Sequence, residues 1–191
     1  YIIRGRAVPS QAPHGFPFLA MRVEMIVLET DRLRIRSWAS DDWLLLKPMS
    51  NDPDVMRYLG GHLLTDAEVL ELAARQKEFF EELGYCYWPL ELKSTGELIG
   101  LCGVQPMDDD AYDFGWRLAK AHWGTGYTSE AALAIRDYVF GTLDLPRLTA
   151  TALLPNTASI NVMRKIRMEY VDSTQTERGE VVRYVLENPN Q

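Results

Sequence analysis

The sequence predicts a mixed α/β fold of the α+β kind, one sheet with helices packed on it, and three observations predict it. Apolar periodicity changes along the 191 residues in the order β, α, α, a three-stranded meander, α, β, α, β, β, unlike the strict βαβ repeat of a doubly wound sheet. A composition of 47% hydrophobic and 25% charged residues supplies one ordinary core. A two-glycine loop, Trp123-Gly124-Thr125-Gly126, runs from the last meander strand into an alanine-rich amphipathic helix.

Residues 1–25 come first. Pro9, Pro13 and Pro17 interrupt them, and Arg4, Arg6 and Arg22 meet no acid before Glu24. This reads as an extension, either an added or upstream-translated leader or an arm that docks on a partner, with Met21 or Met25 as a natural start and the folded domain over 26–191. Leu33, Ile35 and Ser37 alternate with Arg32, Arg34 and Arg36, the period of a half-buried first strand. Ser40-Asp41-Asp42 caps a short helix through Lys47, and Asp52-Pro53 starts another that Gly60-Gly61 breaks. Thr65 and Glu68 have capping-box spacing before a longer helix with Val69, Leu72, Ala73, Phe80 and Leu83 on one face and Gly84 as its stop.

Residues 85–93 and 97–105 read as a hairpin around Ser94-Thr95-Gly96, with Asp108-Asp109-Asp110 as the next turn. Tyr112 to Leu118 is a strand whose Gly115 marks a bulge or a close backbone approach. Ala131, Ala132, Ile135 and Val139 give the following helix its buried stripe. Residues 147–154 form a strand, Asn156-Thr157 opens a last helix toward Arg167, and 169–173 and 180–186 are closing strands.

A helix start preceded by glycines is suited to an anion such as a pyrophosphate, because unpaired backbone N–H groups and the positive end of the macrodipole converge there. Reading Gly124 and Gly126 as a dinucleotide fingerprint fails, since Ser129 holds the third glycine position and the loop follows a meander. A net charge of -7 and a pI near 5.0 argue against a phosphate-gripping nucleic-acid binder and mildly favour cationic substrates. His14, His62 and His122 are scattered, so no metal is expected. No stretch is apolar enough for a membrane span. Cys86 and Cys102, on two strands, read as buried reduced thiols and imply a cytoplasmic setting.

Four segments share a recognisable order and spacing: Glu29-Thr30-Asp31-Arg32-Leu33, Asp113-Phe114-Gly115-Trp116-Arg117-Leu118, Trp123-Gly124-Thr125-Gly126-Tyr127-Thr128-Ser129-Glu130-Ala131, and Pro155-Asn156-Thr157-Ala158-Ser159. Over about Leu28 to Leu186 the chain resembles the GNAT acyltransferase superfamily and, within it, the RimJ/RimL type of ribosomal-protein-alanine N-acetyltransferase. The resemblance implies a mostly antiparallel central sheet flanked by helices, with a splayed strand pair for the cofactor. It implies acetyl-CoA as co-substrate, no metal, and a primary amine as acceptor, either a protein N terminus or a small molecule. Gly124, Thr125, Gly126, Tyr127 and Thr128, opened by Trp123, would bind the pyrophosphate through main-chain amides. Trp116, Arg117 and Leu118 would offer backbone groups to the pantetheine arm, with Asn156 and Ser159 beside it.

The expected chemistry is removal of a proton from an ammonium and stabilisation of an oxyanion. Asp113 is the candidate base, or a strand-edge carboxylate that orders a turn. A main-chain N–H within Trp116 to Leu118 is the candidate oxyanion donor. Asn156 either orients a water or the cofactor amide or is the cap of its helix, and Ser159 shares that ambiguity. Arg164 either meets the nucleotide phosphate or lies on a solvated face. Trp43, Trp88, Trp116, Trp123, Tyr58, Tyr85 and Tyr87 either line an acceptor pocket or fill the core. Three residues depart from the pattern. Ala121 replaces a glutamine or arginine, Met163 replaces a tyrosine that protonates the leaving thiolate, and Arg167 replaces a glycine, which suggests an altered helix ending. Two of them, Ala121 and Met163, keep a non-catalytic acyl-CoA sensor open as an alternative, and a homodimer joined by the N-terminal arm is a further expectation.

Overall fold

The computed structural model describes residues 25–107 and 111–191, so the Asp108 to Asp110 turn and the reading of residues 1–24 lie outside the described residues. The strands are β1 (Ile26–Glu29), β2 (Leu33–Arg36), β3 (Tyr87–Leu92), β4 (Leu98–Pro106), β5 (Tyr112–Leu118), β6 (Arg147–Leu153), β7 (Glu169–Thr176) and β8 (Gly179–Glu187). They form one sheet in the order β1-β2-β3-β4-β5-β6-β8-β7. The helices are α1 (Asp42–Ser50), α2 (Pro53–Met56), α3 (Asp66–Leu83), α4 (Tyr127–Gly141) and α5 (Thr157–Lys165).

The expected start of the sheet at Leu33 is corrected, because β1 lies antiparallel outside β2 with Leu28 opposite Ile35. It is a four-residue edge strand whose residues are exposed or half-buried, so it carries no alternation to read. Helix α1 also runs past Lys47, through Pro48 to Ser50, held by the burial of Leu46 and Met49. No side chain of Asp41 caps it. Asp42 instead accepts the Ala39 N–H at 2.7 Å and both terminal nitrogens of Arg36 at 2.8 Å, in the buried interior.

Other local signals behave as the sequence dictates. Thr65 and Glu68 complete their capping box at α3, and Gly84 ends it in the left-handed conformation at φ +80°. At the end of α5 an arginine stands where the resemblance implied a glycine. Arg167 itself takes φ +67° and donates its N–H to the Arg164 carbonyl at 3.0 Å, a conformation that costs an L-residue roughly 1–2 kcal/mol.

Every neighbouring strand pair is antiparallel except β5 with β6. That parallel pair meets only at Asp113 and Thr149, although each strand has seven residues, whereas β4 and β5 pair continuously from Gly100–Leu118 to Pro106–Tyr112. Beyond Phe114 the two strands diverge, leaving one edge of β5 without a strand partner. Successive β5 side chains show which helices cover which face. Trp116 donates from Nε1 to Ser159 Oγ of α5 at 3.2 Å, and Arg117 donates from Nη1 to Ser50 Oγ of α1 at 3.2 Å. So α1 lies on one face and α5 on the other, and α4 shares the α5 face through the edge-to-face pair of Trp88 and Tyr138.

Candidate active site

The divergence of β5 and β6 opens a cavity of about 400 Å³, walled by Trp116 to Leu118, the loop around Gly124 and Gly126, Asn156 and Ser159 at the start of α5, Val55 of α2 and Tyr58 just after it. The peptide groups facing it follow from the ladder. Ala119 donates its N–H to the Ile99 carbonyl at 2.8 Å, so with a two-residue period Arg117 and Gly115 also bond to β4, while Trp116 and Leu118 point into the divergence. The Leu118 carbonyl is taken by the indole N–H of Trp123 at 2.8 Å. Trp116 N–H and C=O and the Leu118 N–H face the divergence without a strand partner among the described residues. The expectation that Arg117 offers backbone groups is corrected: its peptide belongs to the ladder and only its side chain is available.

Past a single 3-10 turn over Lys120–His122, the chain reverses through Gly124 at φ +75° and Gly126 at φ +89°. Nothing within 4 Å crowds a Cβ at Gly124, so the sign of φ, and not space, requires glycine there. Gly126 is the N-cap of α4 and brings no side chain to satisfy the first-turn amides. Thr125 turns back on its own loop, donating from Oγ1 to the His122 carbonyl at 2.6 Å.

This loop and helix start are fastened from the far edge of the sheet. Glu130, in the first turn of α4, accepts Thr30 Oγ1 at 2.6 Å, the Arg32 N–H at 2.9 Å and Arg32 Nε at 2.7 Å. Arg32 Nη1 donates to the Thr125 carbonyl at 3.1 Å, and its guanidinium lies 4.3 Å from the Tyr127 ring centre. Burial pushes the Glu130 carboxyl up, but these hydrogen bonds and the Arg32 charge more than offset it and hold its pKa below the usual range. The Thr30-Asp31-Arg32 segment therefore neutralises an acid in the first turn of α4. No role had been assigned to Arg32, and its signal was the presence of both segments in one resemblance.

On the α1 face, the Tyr87 phenol donates to Asp113 Oδ2 in a very short hydrogen bond. The ring crosses β4 and β5 over Gly103 and Gly115, which lie opposite each other and opposite Tyr87 in register. A Cβ on Gly115 would sit 2.7 Å from the phenolic oxygen. Here the glycine marks a close approach and the ladder has no bulge. The backbone of Tyr87 is gripped as well, since its N–H donates to buried Gln76 at 2.8 Å and its carbonyl accepts the Trp38 indole N–H at 2.9 Å. Burial raises the pKa of Asp113 against the lowering effect of the phenol, and burial with the adjacent carboxylate raises that of Tyr87. Asp113 sits at the closed end of the divergence and does not line the cavity.

The remaining candidates separate cleanly. Asn156 is the helix cap, its Oδ1 accepting the Ser159 N–H at 3.3 Å, and both residues line the cavity. Trp123 lines it and Met163 is buried at 1% exposure. Arg164 is placed elsewhere: it faces a second hollow beside Tyr170 and Glu180, and Lys165 is the α5 cation at the cavity. The helical phase set by buried Ile160 and Met163 decides between the two. His122 also lines the cavity, with Nε2 3.1 Å from Glu97. Among the described residues no group of three or more His, Cys, Asp or Glu side chains is placed to hold a metal ion, and no helix is long and apolar enough to cross a membrane.

A family model described as Acetyltransferase (GNAT) domain matches residues 32–169. The chain is 36% identical over 147 residues to Uncharacterized protein YkkB of Bacillus subtilis (strain 168), covering 75% of this chain and 85% of that one. It is 29% identical over 148 residues to Uncharacterized N-acetyltransferase p20 of Bacillus licheniformis, covering 76% and 83%. Its fold is similar to that of RimL, a ribosomal L7/L12 alpha-N-protein acetyltransferase solved in complex with coenzyme A, with a TM-score of 0.77 at 14% identity over 87% of this chain and 99% of that one. An unpaired peptide edge leading into an uncapped helix start has the same meaning as these matches: the chain belongs to the GNAT acetyltransferase family and is an acetyl-CoA-dependent acyltransferase.

Proposed function

We propose that the protein transfers the acetyl group of acetyl-CoA to a primary amine by direct attack. The observation that carries this reading is the run of free peptide groups at Trp116 and Leu118 that continues into the amides after Gly126. The loop binds the two phosphates, and the β5 edge holds the extended arm so that the thioester lies beside Trp116. As the amine nitrogen bonds to the carbonyl carbon, the Trp116 N–H stabilises the oxyanion, and collapse breaks the C–S bond. Asp113, held by Tyr87, takes the amine proton through water. Its raised pKa makes it a stronger base than an exposed aspartate. With Met163 in place of a proton donor, the thiolate leaves as such and is protonated by solvent.

Asn156 and Ser159 support the arm's wall and the Trp116 indole. The buried free thiols of Cys86 and Cys102 fit a reducing, cytoplasmic setting, and the folded unit is one domain over residues 26–191. Calorimetry with acetyl-CoA followed by thiol release against an amine panel tests the proposal. Binding with CoA release above hydrolysis supports it, whereas binding without release from any amine would make the protein an acyl-CoA sensor.

A further inference from the structure

Arg117 is a half-buried cation for which the described residues supply no anion. Its Nη1 bond to Ser50 Oγ is the one hydrogen bond its guanidinium makes among the described residues, and its Nε is buried without a partner. No described carboxylate lies within ion-pairing distance of it. Arg36, the other recessed arginine of the sheet, shows what saturation looks like here, with Asp42 at 2.8 Å and Glu91 at 2.9 Å. Burial lowers the pKa of Arg117, with Tyr87 acting the other way, yet a guanidinium stays charged at physiological pH. The charge is therefore present and under-satisfied.

Its position narrows the source of a partner. Arg117 follows Trp116, lines the same cavity, and leaves the sheet on the α1 face, toward the end of α1 and the α2 residues of the cavity wall. If the protein acetylates amines as proposed above, on which this inference rests, the donor's pyrophosphate is met by the loop at Gly124 to Thr128, and its ribose phosphate lies beyond that, at the nucleotide end away from the acyl group. Its pantetheine arm and acetyl group carry no charge. An anion at Arg117 then has to arrive with the other substrate. We infer that Arg117 binds a carboxylate of the acceptor, so that the acceptors are amines bearing a carboxylate, such as free amino acids, in preference to peptide N termini, where that group is a neutral amide.

A site built to pair a polar group discriminates strongly against an analogue that lacks it, and a half-buried guanidinium places the expected preference at about a hundredfold. The test uses the full chain, acetyl-CoA, and matched acceptors: an amino acid, its amide, and the amine left by removing the carboxylate, with CoA thiol release as readout. The expected result is a kcat/KM about a hundredfold higher for the carboxylate form, with that ratio falling toward one in Arg117→Gln and Arg117→Met. Acetyl-CoA affinity and melting temperature of the variants show that they are folded, and if they are not, the wild-type comparison decides alone. Equal turnover of the matched acceptors overturns the inference while leaving amine acetylation intact. No turnover of any amine, with acetyl-CoA still bound, overturns the proposed function itself.

Discussion

Replacing Arg32, which does not itself line the cavity, with alanine removes the fastening between the sheet edge and the loop proposed to hold the donor's phosphates. Three interactions are lost: a side-chain pair to Glu130 with contacts of 2.6 and 2.7 Å, a bond to the Thr125 carbonyl, and the stacking on Tyr127. Arg32 is 45% exposed, so the ion pair is worth about 0.2–1 kcal/mol, the cation–π contact about 0.5–1, and the charged hydrogen bond about 1 after discounting for solvent. The sum is roughly 2 kcal/mol, part of which appears as lower stability. Affinity for acetyl-CoA should fall about tenfold, or about 1.4 kcal/mol. The Glu130 carboxylate, no longer neutralised at a helix start proposed to receive phosphates, adds repulsion, so Arg32→Ala with Glu130→Gln should bind more tightly than Arg32→Ala alone. Glu130 has a depressed folded pKa, so its stabilising contribution is complete above the ordinary glutamate value of 4.5 and fades as pH falls through the lower folded value. Isothermal titration of the wild type and the two variants at pH 7.5 measures this. An Arg32→Ala affinity within twofold of wild type would refute the fastening argument.

Tyr87→Phe removes the bond that pulls the Asp113 pKa down, so the acid limb of the kcat/KM profile should move to higher pH and kcat should fall by about tenfold; an unmoved limb would separate the pair from proton transfer. Gly115→Ala places a methyl group 2.7 Å from the phenolic oxygen, and denaturant titration should show a loss of about 1–3 kcal/mol together with a Tyr87→Phe-like drop in turnover. Arg167→Gly should raise stability by about 1 kcal/mol by relieving a left-handed arginine, read as a higher denaturation midpoint with unchanged slope. Burial pushes both thiols far up, so at pH 8 neither Cys86 nor Cys102 should react with an alkylating reagent until the protein unfolds.

What the sequence reveals is what local physics determines. The capping box of α3, the Gly84 stop, the β3–β4 hairpin and the stripe of Ala131, Ala132, Ile135 and Val139 all lie within a few residues of the features they fix. The donor loop is legible for the same reason, since glycine at Gly124 and Gly126 is required by a local φ. The Arg32–Glu130 clamp joins residues 98 apart, and the Tyr87–Asp113 pair depends on Gly103 and Gly115 coming side by side in neighbouring strands. Only the register establishes that. Arg117 looks like one of three peptide donors until the ladder shows that alternate groups face opposite ways. Choosing between Arg164 and Lys165 needs the phase of α5 to within one residue, about 100° of rotation, which a cap residue alone does not supply.

If the Tyr87–Asp113 pair moves the amine proton as proposed, the grip of Trp38 and Gln76 on the peptide groups of Tyr87 divides binding and turnover between different stretches of chain. Most of the donor cavity is assembled from residue 116 onward, while the phenol–carboxylate pair is complete only when segments around positions 38, 76, 87 and 113 have docked together. A chain loosened around positions 38 and 76, with the Arg32 clamp intact, should thus still hold the thioester yet leave it unreacted, so capacity to bind and capacity to turn over should be lost at different points during stepwise unfolding.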